Sequence, residues 1–159
     1  MGLASADAGL REQRGRTYLA CQAYRLAAAD FDEALECDPR SVPSYQGRAL
    51  ARLQLSRPRE AAADAERAAE LAHDDGKVLY VAAGVLAHAG EQAGKDGDRA
   101  GRERYQERAL ALLRRTMELT PAEQRAAFWR ETVRRDPAIR PLRGSEDYER
   151  LDRRHGRQS

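Results

Sequence analysis

The chain repeats itself every 34 residues, and that period constrains its fold more than any other feature. Gly15, Ala49 and Ala83 are spaced by 34, as are Arg14, Arg48 and Ala82 one position earlier. Ala27 and Ala61, Ala34 and Ala68, Phe31 and Ala65, and Cys37 and Leu71 stand at the same interval. A period of this length marks one supersecondary unit per repeat, too small to bury its apolar face alone, so that units must stack. Inside the first unit Ala27, Phe31, Ala34 and Leu35 fall at i, i+4, i+7 and i+8, one face of a helix. Small residues such as Gly15 and Ala27 recur where two helices cross closely, and Tyr18, Tyr24 and Phe31 fill the gaps beside them. Asp38-Pro39 closes the unit, because the residue before a proline is pushed out of the α region.

The β-branched count points the same way. One isoleucine (Ile139), five valines and four threonines are too few to fill the pleated faces of a sheet. Hydrophobic residues at 42% and charged residues at 34% exclude both a disordered chain and a membrane protein. No apolar run approaches the roughly 20 residues of a membrane span. Met1 to Leu10 lacks a basic segment followed by an apolar one, so no signal peptide is read and a cytoplasmic location is expected. Net charge is +2, with arginine supplying nearly all the positive charge; the only lysines are Lys77 and Lys95. Cys21 and Cys37 are too few for a disulfide framework or a zinc site and are expected to be small buried thiols.

In the stretch 8–41, Gly15, Tyr18, Tyr24, Ala27, Phe31, Ala34 and Pro39 come in the order of the tetratricopeptide-repeat signature, which the stretch departs from only at the early bulky position, here Arg11. This stretch resembles the tetratricopeptide-repeat family, bacterial type. The second unit, 42–75, keeps Tyr45, Ala49, Ala61 and Ala68, but has Arg52, Pro58 and Ala65 in place of the aromatics. The third, 76–122, keeps Leu79, Ala83, Leu86 and Gly90, and then Ala109, Leu113, Thr116, Leu119 and Pro121 after about 14 extra residues. That excess falls in an insertion at 91–103, whose Gly94, Gly97 and Gly101 amid charges predict a surface loop; the alternative is that flanking helices extend into it. Thr120-Pro121-Ala122-Glu123 reads as a capping box opening a helix over 121–135, with Ala126, Trp129 and Val133 on one face and Trp129 in the core. A short last helix is expected at 145–154. The predicted fold is an all-α solenoid of about three helix hairpins, closed by a capping helix and a short terminal helix, in one domain.

No constellation for catalysis or cofactor binding stands out. Gly90 to Asp96 faintly resembles a phosphate loop, but its glycines are one residue too close and no strand precedes it. Asp96, Asp98, Gly101 and Glu107 match part of a calcium loop, but Ala100 replaces a ligand and Arg99, Arg102 and Arg104 repel a cation. His73, His88 and His155 share no ligand spacing. The expectation is therefore no enzyme, no cofactor and no metal.

The resemblance implies a concave groove lined by the first helix of each hairpin. By family register its lining is Arg16, Leu19, Gln46, Leu50, Leu53, Lys77, Tyr80, Val81 and His88. The positions with which some members grip chaperone carboxylates are Glu12, Arg16, Gly47, Lys77 and Val81 here; only Lys77 matches, so that clamp is not expected. What is expected is a scaffold or adaptor that binds another protein or peptide, with no membrane role. An alternative is a C-terminal repeat segment of a larger bacterial signalling protein, such as a serine/threonine kinase. From another class comes arginine-mediated nucleic-acid binding. From Thr120 onward ten arginines face seven acidic residues, a local excess of +3, and Arg134, Arg135, Arg140 and Arg143 would form a basic strip. Trp129 and Tyr148 alone would offer stacking surfaces there, so nucleic acid is the less favoured partner.

Overall fold

A computed structural model describes residues 3–156, with side chains from Asp7 onward. Every regular element among the described residues is helical. The helices gather into two compact units, 1–72 and 73–159.

The first unit holds two hairpins. Helices α1 (Leu3–Ala20) and α2 (Tyr24–Cys37) form one; α3 (Val42–Gln54) and α4 (Pro58–Leu71) form the other. Asp38 leaves the helix with φ −134° and ψ 90°, as a residue before proline must. Ser41 then caps α3, its hydroxyl accepting from the Ser44 amide at 3.2 Å. Phe31 on α2 is fully buried and fills the space between α1 and α3. Glycine makes that possible: a Cβ on Gly15 would lie 3.1 Å from the Phe31 ring, and one on Gly47 would overlap it. Ala27, Ala28 and Ala51 complete this cluster, with Tyr18, Leu19 and Leu55 packed on its margin.

The 34-residue period reappears in the geometry. Gln22 and Ser56, which end the first helix of each hairpin, both adopt left-handed backbone, φ 59° and 57°. Arg14 donates twice to Asp30, at 2.7 Å each. Arg48 repeats this on Asp64 at 3.0 and 2.7 Å. Both aspartates are buried, so each hairpin clamps its two helices with a buried carboxylate. Arg52 adds a third bond to Asp64 at 2.6 Å.

The second unit begins with α5 (Gly76–Lys95) and α6 (Arg99–Leu119). The surface loop expected over 91–103 is not present at that length: helices run into it from both sides and leave three residues, Asp96 to Asp98. The extra sequence is shared evenly. Helix α5 has 20 residues against 13 in α3, and α6 has 21 against 14 in α4. Seven residues are close to two helical turns, so the lengthened hairpin keeps its faces in register. Of the glycines only Gly97 makes the turn, at φ 79°; Gly90 and Gly94 face α6, where a Cβ on Gly90 would sit 3.3 Å from that of Tyr105. Where the first two hairpins carry the Arg–Asp clamp, the third carries Ala82 and, allowing for the extra turns, Leu112; both are buried.

After α6 the chain enters α7 (Ala122–Phe128), which continues as one wider π turn, Trp129–Val133. The capping box does not form. The Thr120 hydroxyl instead donates back to the Thr116 carbonyl at 2.8 Å, and Pro121 stands at the cap without a side-chain bond. A 3-10 turn (Arg140–Leu142) and α8 (Glu146–His155) follow. Trp129 is fully buried, its indole donating to Asp152 of α8 at 2.6 Å, with the rings of Tyr148 and His155 against it at 5.5 and 5.7 Å. Arg134 closes this lock with two bonds to Asp152 at 2.6 and 2.8 Å.

The cysteines differ from expectation. Cys21 lies in the turn after α1 and Cys37 is the last residue of α2; both are exposed. Each stands at a helix end, beyond the stripe that faces the core.

Candidate functional site

In the first unit the expected lining residues have three different fates. Arg16 is exposed and paired with Glu12, one turn earlier, at 2.8 Å. The second Glu12 oxygen accepts from the hydroxyls of Ser41 and Ser44 at 3.0 and 3.3 Å, so this carboxylate ties α1 to the start of α3. Leu19 is half-buried on the Phe31 cluster and belongs to the core margin. Gln46, Leu50 and Leu53 fall at i, i+4 and i+7 on one face of α3. Leu50 is 42% exposed there, while Gln46 and Leu53 are half-buried. Gln46 therefore leads a face that presents both an amide and an apolar side chain to solvent.

In the second unit Lys77, Tyr80 and Val81 line one cleft of about 720 Å³, between the start of α5, the end of α6 and α7. Leu119, Pro121 and Phe128 give it apolar walls, with Thr120 and Gln124 among its polar groups. His88 is exposed and outside that lining. Tyr80 is not free to serve a partner with its hydroxyl. That group donates to Asp136 at 2.7 Å, and its ring meets Phe128 edge-on at 5.5 Å. Burial, and then the Asp136 carboxylate, push the Tyr80 hydroxyl well above the ordinary tyrosine range, so it stays a donor.

The α5 face is covered by a segment that the repeat period does not indicate. Residues 136–142 lie across it. Asp136 accepts from Tyr80, and the Ala138 Cβ sits where it would come within 3.0 Å of a Cβ on Gly84. Ile139 and Leu142 are fully buried. The signals were the lone isoleucine in a polar tail, and Gly84 standing 34 residues after Leu50.

The proposed basic strip is partly consumed. All four arginines are exposed, but Arg134 is bonded to Asp152 and Arg143 donates to the carbonyl of Asp136 at 3.1 Å. Trp129 and Tyr148 are both buried and offer no stacking surface. No helix among the described residues is long and apolar enough to cross a membrane.

No family model and no curated protein matches this chain. Among solved structures it is similar to the one described as "Functional Characterization of Pseudomonas Aeruginosa pilF", with 18% identity over 94% of this chain and 85% of that chain and a TM-score of 0.46.

Proposed function

We propose that the chain is a protein-interaction module that holds a segment of a partner protein on the solvent-facing side of its first-position helices. The observation that carries this reading is the α3 face. Leu50 is one of three large apolar side chains strongly exposed among the described residues, and it sits in the middle of a rigid hairpin clamped by Asp64. A preformed apolar face on a rigid scaffold lowers the ordering cost of binding. The cleft of the second unit, with apolar walls and Lys77, Asp74 and Asp75 at its rim, offers a second contact of mixed charge.

The test is retention of a partner by the immobilised chain from nuclease-treated lysate of its source, comparing the native protein with Leu50→Asp and with Lys77→Ala. A protein retained by the native chain and lost with Leu50→Asp supports the reading. Retention that neither substitution weakens would sink the site, and capture that disappears with nuclease would move the function to nucleic acid.

A further inference from the structure

The second unit contains its own example of how a first-position helix face is occupied. Asp136 places its carboxylate on the Tyr80 hydroxyl, Pro137 follows, and Ala138 meets α5 at Gly84. One turn of 3-10 helix then buries Ile139 and Leu142. The occupant is thus a short segment ending in a single 3-10 turn, anchored by one carboxylate and stiffened by Pro137 and Pro141.

The 34-residue register maps the two contacted positions of α5 onto α3. Tyr80 corresponds to Gln46, whose side-chain amide is also a donor, and Gly84 corresponds to Leu50. On α3 the position equivalent to Gly84 is open, Leu50 being 42% exposed, while Gln46 is half-buried. We propose that the α3 face of Gln46, Leu50 and Leu53 docks a partner segment of the same chemistry as residues 136–142, a carboxylate followed by proline and then small and branched apolar residues. This rests on the reading of the chain as an interaction module, and specifies the partner's chemistry.

The segment 136–142 of the chain itself is not that occupant. Its Ile139 and Leu142 are fully buried, and Arg143 pins it through the carbonyl of Asp136. For the same reason a second copy does not offer it. One difference follows from the register. Gly84 lets Ala138 approach to Cβ contact, whereas Leu50 fills that space, so the occupant of α3 lies farther from the helix axis and packs on the Leu50 side chain itself.

The probe is a capped, dye-labelled heptapeptide with the sequence of residues 136–142, titrated into the full chain and read by fluorescence anisotropy. Saturable binding is expected. It should weaken at least tenfold with Leu50→Asp and several-fold when the peptide carries Asn in place of its Asp. Leu50→Asp lies at an exposed position, and unchanged far-UV circular dichroism confirms that it folds. Absence of saturable binding overturns the proposal, as does binding that Leu50→Asp leaves intact, since the peptide would then be exchanging with the segment on α5. If Leu50→Asp abolishes retention of a partner protein while the peptide fails to bind, the partner chemistry is wrong and the interaction reading stands. If retention ignores Leu50→Asp, the interaction reading fails first.

Discussion

Replacing Asp64 by alanine is expected to destabilise the first unit by about 3 kcal/mol, because it strands two guanidinium groups out of water. The Asp64 side chain is 4% exposed, and those of Arg48 and Arg52 are 16% exposed each. The carboxylate accepts three bonds, at 3.0 and 2.7 Å from Arg48 and 2.6 Å from Arg52. Removing one partner of a buried ion pair costs about 3–5 kcal/mol, since the remaining charge keeps its desolvation penalty. The lower end applies here. Asp32, half exposed, still reaches Arg48 at 2.6 Å and Arg52 at 3.6 Å, and compensates in part. Copying the third hairpin should rescue the loss. Arg48→Ala, Arg52→Leu and Asp64→Leu together reproduce Ala82, Leu86 and Leu112, and an apolar replacement of a buried ion cluster is often neutral, so this triple variant should fall within about 1 kcal/mol of the native chain. Urea denaturation followed by far-UV circular dichroism measures both. Trp129, the only tryptophan, lies in the second unit, so its fluorescence separates that unit's unfolding from the first. A cost for Asp64→Ala below about 1 kcal/mol, or a triple variant less stable than the single one, would refute the reasoning.

Gly47→Ala should destabilise by about 1–3 kcal/mol, the range for overpacking, because its methyl would overlap the Phe31 ring; a thermal melt checks it. Gln22→Gly and Ser56→Gly should each stabilise the first unit by up to about 1 kcal/mol and so raise its urea midpoint, since both native residues hold left-handed backbone. An unchanged or lowered midpoint would contradict that. Trp129 fluorescence should also report acid loosening in two windows. Burial lowers the His155 pKa, so docking of α8 is fully supported above pH 6.5 and weakens as pH falls below it. The Arg134 bonds hold Asp152 below its ordinary 3.8, so its contribution persists at that pH and is lost only as pH falls through the lower folded value. An Asp152→Asn variant should lose the second window and keep the first.

The elements were legible in the sequence because their causes are local. Apolar spacing set the helices, Asp38-Pro39 ended α2, and the recurrence of Gly15, Ala49 and Ala83 announced hairpins of equal size. Even the Arg–Asp clamp was readable in principle, since Asp30 and Asp64 stand 34 residues apart on otherwise apolar faces. The long third hairpin was ambiguous for a physical reason. Glycines among charges signal a loop, yet Gly90 permits close approach of α6, and that packing outweighs the weak helix propensity. Contacts between residues remote in sequence were decided by the tertiary structure alone. Tyr80 finds Asp136 across 56 positions and Trp129 finds Asp152 across 23. Periodicity names a face but not what comes to lie on it, which is why Leu50 and Gly84, equivalent in the repeat, end exposed on α3 and buried on α5.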